Sequence, residues 1–463
     1  MTTALLIDFG STFTKLRAVD LEKAEIIGTG QGPSTVATDI TGGLTKALSD
    51  LEGRIGPLPD FKHRLACSSA AGGLGMVTVG LVKELTAEAA KQAALGAGAR
   101  LTGAFSHGLT QGDIAEVEAL APDIILLAGG TDGGNSDVIL ANAAKLAAAV
   151  TCPVVVAGNR EATDEAAGLL KAAGKPVTVT ENVMPEFGTL NVEPARDAIR
   201  QVFIERIVHA KGIDRAEEMF DAVLMPTPAA VLEGARLLSE GLDNTPGLGA
   251  LVVIDVGGAT TDVHSVATGE PTAEGVIPHG LPEPHLKRTV EGDLGMRINA
   301  PAIAEAVGMD TLAEATGLDV DGVRKILDEI TAAVDSLPKT AAQKRFDQAL
   351  AEAAVGIAVA RHAGTVSIVQ TVTGPVSMQT GKDLGSVATV IGTGGVLVHG
   401  THPGAALARG LADPAKPQSL RPKDPELRLD GDYLLFACGL LAGVEPEAAL
   451  TLGLAHMHPV GGT

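Results

Sequence analysis

Two stretches of this 463-residue chain are written to one pattern, and that duplication constrains the fold more than any other feature. "LLIDFGSTFTKLRAV" (residues 5–19) and "VVIDVGGATTDVHSV" (residues 252–266) each run an apolar strand into an Asp, turn through glycine, and resume as an alternating second strand. In register, Asp8 falls on Asp255, Gly10 on Gly257 and Thr14 on Thr261. A looser pair follows in each half: "IILLAGGTDGG" (124–134) and "VATVIGTGGVLV" (387–398) are both strands running into Gly–Gly turns. A chain of this length exceeds one small core. Two copies of strand–Asp–Gly hairpin, each followed by strand–Gly–Gly, predict two domains of like topology.

Between the copies, the first half alternates strands (25–29, 64–68, 101–106, 123–128, 153–157, 176–180) with helices (41–51, 81–94, 113–121, 137–149, 162–173). Such alternation implies crossovers and a mostly parallel sheet. From about 192 to 238 the pattern reads as helical, with "MPTPAA" (225–230) capping one helix. The sheet signal returns at Leu251, a second helical stretch covers 319–362, and "ADPAKPQSLRPKDPE" (412–426) reads as an exposed loop. The expected division is 1–190, a helical connection 191–249, and 250–463 with a helical insertion near 300–365.

Composition narrows the function. The net charge is −21, with 56 acidic against 35 basic residues, a field that repels nucleic acid and anionic lipid. There is no Trp and one Tyr, so stacking platforms for single-stranded nucleic acid are nearly absent. The sequence has no apolar run long enough to span a membrane and no secretory start. Cys67, Cys152 and Cys438 lack CxxC spacing and read as reduced, buried thiols of a cytoplasmic protein. An anion bound here must be held locally, by backbone N–H groups, a helix N-terminus or a metal.

The two hairpins suit that task. Their glycines (Gly10; Gly257, Gly258) allow close backbone approach, and the exposed N–H groups of such a turn form a nest for phosphate oxygens. Ser11, Thr12, Thr14, Thr260 and Thr261 add short hydroxyl donors. Lys15 lies either beside the phosphates or in solvent. Turns on opposite sides of a cleft would grip a polyphosphate, with Asp8 and Asp255 reaching a hydrated Mg²⁺, which takes only one or two carboxylates. Gly392, Thr393, Gly394 and Gly395 would let backbone approach a nucleoside, sandwiched by glycine backbone and aliphatic side chains for want of aromatics. A lone Gly/Thr hairpin is also an ordinary tight turn; two aligned copies, both with Asp at the strand end, weigh against that.

"LLIDFGSTFTK", "VVIDVGGATTDVHS" and "VIGTGG" resemble the two phosphate motifs and the adenosine motif of the actin, hexokinase and Hsp70 ATPase superfamily. "SSAAGGLGM" (68–76), "LLAGGTDGG", "MPTPAAVL" (225–232) and "RTVEGDLGMR" (288–297) narrow the resemblance to the glutamate mutase L, or MutL-like, accessory proteins, which are unrelated to the mismatch-repair protein of similar name. The resemblance implies two actin-like (ribonuclease H-like) domains flanking a nucleotide cleft, with ATP/ADP and Mg²⁺ as cofactors. It implies a reactivating chaperone that docks on an adenosylcobalamin-dependent mutase and couples ATP binding and hydrolysis to release of damaged cobalamin. The alternatives are a small-molecule kinase of the same superfamily and an ATP-switched scaffold or filament protein.

Asp255 is the first candidate for orienting the attacking water or holding the metal, with Asp8 its pseudo-symmetric partner, since buried strand-end charges are expensive. Asp262 either serves the same metal or faces outward from the hairpin. "EGDLGMR" offers Glu291, Asp293 and Arg297, which line the cleft, contact the partner, or mark a helix N-terminus. "LLAGGTDGG" is either a symmetry echo of the adenosine turn or a partner-binding loop. His279 and His285 flank Glu283 without a spacing that forces convergence on a metal. No Asp-x-His-x-x-Gly motif is present, so the chain itself is not expected to bind cobalamin base-off.

Overall fold

The computed structural model describes residues 2–10, 13–35, 40–68, 75–210, 221–334, 336–372 and 374–460. By contact density the chain separates into two compact units. One comprises Met1–Gly234, Gly280–Pro284 and Phe436–Leu452, the other Ala235–His279, His285–Leu435 and Gly453–Thr463.

In the first unit, β1 (Thr3–Phe9), β2 (Phe13–Asp20) and β3 (Glu25–Pro33) form an antiparallel meander. β4 (His63–Ser68) joins β1 in parallel. All seven residues of β1 are buried, as befits a central strand covered on both faces. Beyond β4 the chain leaves this sheet and builds a second, wholly parallel one. Its strands are β5 (Gly75–Gly80), β6 (Arg100–Ser106), β7 (Ile124–Leu127), β8 (Val154–Val156) and β9 (Val177–Val179), in the order β6-β5-β7-β8-β9. The chain then returns through the helix Glu193–Ala210 to β10 (Ala222–Pro226), which completes the first sheet as β10-β4-β1-β2-β3. The helix Ile40–Ile55 lies directly on β3: a Cβ at Gly30 would stand 2.4 Å from the Ala47 carbonyl oxygen.

After a two-residue hairpin, β11 (Gly241–Leu242) and β12 (Thr245–Pro246), the second unit repeats the first sheet's plan. β13 (Leu251–Val256), β14 (Thr261–Val266) and β16 (Leu286–Glu291) form the meander. β19 (Thr389–Thr393) pairs parallel with β13, and β20 (Glu426–Asp430) parallel with β19. An added edge strand, β21 (Met457–Pro459), gives the order β16-β14-β13-β19-β20-β21. Counted along each copy, both sheets read 3-2-1-4-5, an antiparallel meander extended by two parallel strands. That shared order bears out the two domains of like topology expected from the duplicated motif and is the actin-like, ribonuclease H-like order that the family resemblance implies. β15 (Val276–His279), β17 (Thr365–Thr371) and β18 (Gly374–Thr380) form a separate small sheet. The helix Ala341–His362 covers the β13 face, burying Phe346, Leu350, Val355 and Val359 in one core with Val252 and Ile254.

Three readings change. The alternating first half is two sheets rather than one, because β5, a short glycine-flanked run, gives no clear strand signal. The helical reading of 192–238 is interrupted by β10, whose five residues are too few for periodicity to separate strand from buried helix. And "IILLAGGTDGG" is no echo of the adenosine turn. The strand occupying β19's place in the first sheet is β4, whereas 124–127 is β7 of the inserted sheet. Among the described residues, no helix is long and apolar enough to cross a membrane.

Candidate functional site

Each repeated hairpin places its carboxylate at the end of a central strand. In the first, Gly10 N–H donates to the Phe13 carbonyl at 3.1 Å, closing the turn. Ser11 and Thr12 lie outside the described residues. Asp8 sits opposite Lys15 across the ladder and opposite Cys67 on β4. It is buried, and the Thr227 hydroxyl donates to its Oδ1 at 2.7 Å, with Cys67 Sγ at 3.7 Å. Burial raises the Asp8 carboxyl above its ordinary range, opposed by the Lys15 charge and the Thr227 hydrogen bond. Burial and the neighbouring carboxylate likewise push the Cys67 thiol up. Lys15, left open between phosphate and solvent, therefore acts at least on Asp8. The Thr14 hydroxyl is buried without a hydrogen-bond partner among the described residues, and a Cβ at Gly43 would lie 3.1 Å from it.

The second hairpin closes through Gly257 N–H to the Thr260 carbonyl at 2.9 Å. It is braced from outside. Met296 N–H donates to the Gly257 carbonyl at 3.0 Å, and those of Arg297 and Ile298 to the Gly258 carbonyl at 2.9 and 3.0 Å. The Thr261 hydroxyl donates to the Leu294 carbonyl at 2.6 Å, and that of Thr260 to Asp262 Oδ2 at 3.0 Å. "EGDLGMR" is thus the support of this turn. Its Arg297 forms a two-point pair with Asp347, and its Glu291 and Asp293 are both held by Arg361. Arg361 keeps Asp293 below the usual carboxylate range. Asp262 is no free outward charge either: it pairs with Arg288, whose side chain is 4% exposed.

Asp255 stands opposite Thr393 in the parallel β13–β19 register. Gly394 follows with φ +94°, and a Cβ there would lie 2.3 Å from the Val256 carbonyl oxygen and 2.8 Å from Asp255 Oδ1. Only glycine permits this backbone to pass so close to the carboxylate. The fold therefore brings the second hairpin and the Gly392–Gly395 turn together at one end of one sheet. Thr393 turns its hydroxyl toward Asp430 at 3.4 Å, and Asp430 also accepts from the Leu434 and Leu435 N–H groups.

Thr227, Cys67 and Asp430 were not singled out from sequence as site residues. Thr227 lies in "MPTPAAVL", and a Thr between two prolines at a strand-to-helix boundary is the signal the sequence offers for it. The glycine loop "LLAGGTDGG" is held at the head of β7 by two buried asparagines. Asn159 donates to the Gly134 and Asn135 carbonyls, Asn182 to the Gly130 carbonyl and Asp132. His285 pairs with Glu240 at 3.2 Å. All three cysteines are buried and unbridged.

A family model described as MutL protein matches residues 4–457. Protein MutL of Clostridium tetanomorphum is 49% identical over 457 residues, covering 98% of each chain. Among solved structures, xylulose kinase from Bifidobacterium adolescentis aligns with 99% of this chain and 94% of its own at 13% identity and a TM-score of 0.31. Plasmodium falciparum glycerol kinase with ADP aligns with 100% and 93% at 10% identity and a TM-score of 0.38. With TM-scores below 0.5, the fold rests on strand order alone.

Proposed function

Since the chain belongs to the MutL protein family, we propose that it is an ATP-dependent reactivating chaperone for an adenosylcobalamin-dependent mutase, glutamate mutase or a related mutase or aminomutase, acting in the cytoplasm. The observation that carries this reading is the pair of sheets in one strand order, each ending its central strand on an aspartate followed by a glycine turn. Full-length similarity to a protein named MutL supports the choice of client.

The residues fit a nucleotide and Mg²⁺ in two respects. Gly394 keeps the Asp255 carboxylate open to close backbone approach, and Asp8 is a desolvated carboxylate whose ionised form a cation would favour. In this reading Asp8 or Asp255 holds the hydrated ion, and Asp255 orients the attacking water. Gly10, Ser11, Thr12, Thr14 and Lys15 on one hairpin, and Gly257, Gly258, Thr260 and Thr261 on the other, contact phosphate oxygens. Thr14, Thr260 and Thr261 would contribute chiefly through backbone, given where their hydroxyls point. Gly392, Thr393, Gly394 and Gly395 lie along the nucleoside. When bound, ATP would supply a γ-phosphoryl group whose loss would change the nucleotide's relative affinity for the protein's conformations and so shift their populations.

The test is ATP turnover with and without glutamate mutase carrying an inactive cobalamin. The expected result is slow hydrolysis stimulated by the loaded mutase, with no phosphorylated metabolite and with release of the cobalamin. Asp255→Ala should lower turnover by roughly a hundredfold or more while circular dichroism stays unchanged. Turnover strictly dependent on a metabolite would indicate a kinase, and ATP-dependent light scattering a filament; unaltered hydrolysis in the variant removes Asp255 from the mechanism.

A further inference from the structure

We propose that Asp432, His456 and His458 form a binding site for one divalent first-row transition-metal ion, of the zinc or cobalt type. They are the only group of three or more His, Cys, Asp or Glu side chains among the described residues whose donor atoms converge, all lying within 4.8 Å of one another. The convergence is built by the backbone. His456 ends the helix Pro446–His456, and the chain passes directly into β21, where His458 pairs opposite Leu429 of β20. Met457, between the two histidines, is buried. His456 is the last residue of the helix and His458 the second of the strand, and this helix-to-strand junction sets their rings side by side. Asp432 lies two residues beyond the end of β20, on the turn that leads into the helix Leu435–Leu441.

Two of the donors already meet: His456 Nδ1 is 2.8 Å from Asp432 Oδ2. An Asp–His hydrogen bond needs no third group, yet the His458 ring stands with its centroid 6.1 Å from that of His456 and is hydrogen bonded to no described residue. Around an ion with metal–ligand distances of about 2.0–2.2 Å, tetrahedral donors stand roughly 3.4 Å apart, within reach of side-chain rotation in this half-exposed trio. Two imidazoles and one carboxylate favour zinc, cobalt or nickel over magnesium, which prefers oxygen donors. Three protein ligands leave a coordination position for water or for a donor from elsewhere. The site is separate in residues and donor chemistry from the proposed nucleotide-binding residues, and an ion there would tie β21 to the turn after β20.

The experiment is a Co²⁺ titration of the full chain after chelation and desalting, followed by visible absorption, beside a His456→Ala/His458→Ala variant as the control for the other histidines and the cysteines. The expected result is one further equivalent of Co²⁺ bound by the natural chain, displaced by Zn²⁺ and not by Mg²⁺. Zn²⁺ should also raise the melting temperature of the natural chain alone, as a ligand of the folded state must. Should the double variant fold poorly, His458→Gln at the exposed position serves instead, with a tenfold or greater loss of affinity expected. Equal Co²⁺ binding by natural chain and variants, or no binding by either, overturns the proposal.

Discussion

A carboxylate buried at a strand end is costly unless other groups answer its charge, and the strongest that do so for Asp8 are Lys15 across the ladder and the Thr227 hydroxyl. Its raised pKa has a definite sign for stability. The protonated form is favoured by folding, so this contribution is present below the ordinary carboxylate pKa and is lost as pH rises through the folded value. Wherever it ionises, the buried group is carried at a cost, which is the expectation for a residue retained for function. Thr227→Val removes the donor and leaves the carboxylate buried without it. The expected loss is about 1–3 kcal/mol, read as a lower urea midpoint and restored by Thr227→Ser. An unchanged midpoint would mean that Thr227 does not hold Asp8. Asp8 was legible because it sits inside a repeated motif. Thr227 was not, since 219 positions separate it from its partner and only β10 brings it alongside.

At the scale of elements, the six-stranded sheet of the second unit is joined to the helix Ala341–His362 by a histidine. His362 closes that helix, its Nε2 2.8 Å from the Ser265 hydroxyl on β14 and its Nδ1 2.9 Å from that of Thr289 on β16. Burial, with Lys287 and Lys382 nearby, holds it well below the ordinary imidazole range. His264, on the same β14, is lowered to about 3 by burial and then by Arg288. Both fold as neutral rings, whereas the unfolded chain takes up their protons below about 6.5. Stability should therefore fall as pH drops from 6.5, by up to about 1.4 kcal/mol per unit for each histidine. Above about pH 4.5 most carboxylates remain ionised, and the fall belongs mainly to these two rings, opposed by the raised Asp8 and Asp347 carboxyls. Urea midpoints at several pH values measure it, and His362→Gln should remove about half. A His362→Gln variant with the same pH profile as the natural chain between pH 6.5 and 4.5 would contradict the neutral assignment. Neither histidine stood out in the sequence, where one is an alternating strand residue and the other a helix end.

For the molecule as a whole, the charge of −21 sets a self-repulsion that salt screens. Between about 10 mM and 150 mM ionic strength the Debye length shrinks from about 30 Å to 8 Å. The melting temperature should rise over that range, because exposed pairs such as Arg54–Asp50 and Arg324–Asp321 are worth little and lose little. A fall would show that attractive pairs outweigh the net repulsion. The same charge predicts no retention on duplex DNA at physiological salt.

Read alone, the sequence determined that the fold is duplicated, that each copy opens on a strand–Asp–glycine hairpin, and which family the chain belongs to. Such features are local: strand, turn and period are fixed by neighbours a few residues apart, and repetition makes them visible. Only the tertiary structure decided that β4 rather than the 124–127 strand accompanies β1, that a separate parallel sheet interrupts the first copy, and that "EGDLGMR" braces the second hairpin. It also decided which side chains meet Asp8 and that three donors converge near residue 458. Those outcomes depend on strand pairing and on contacts between residues far apart in the chain, where the free energy of burial chooses the partner and no short spacing records the choice.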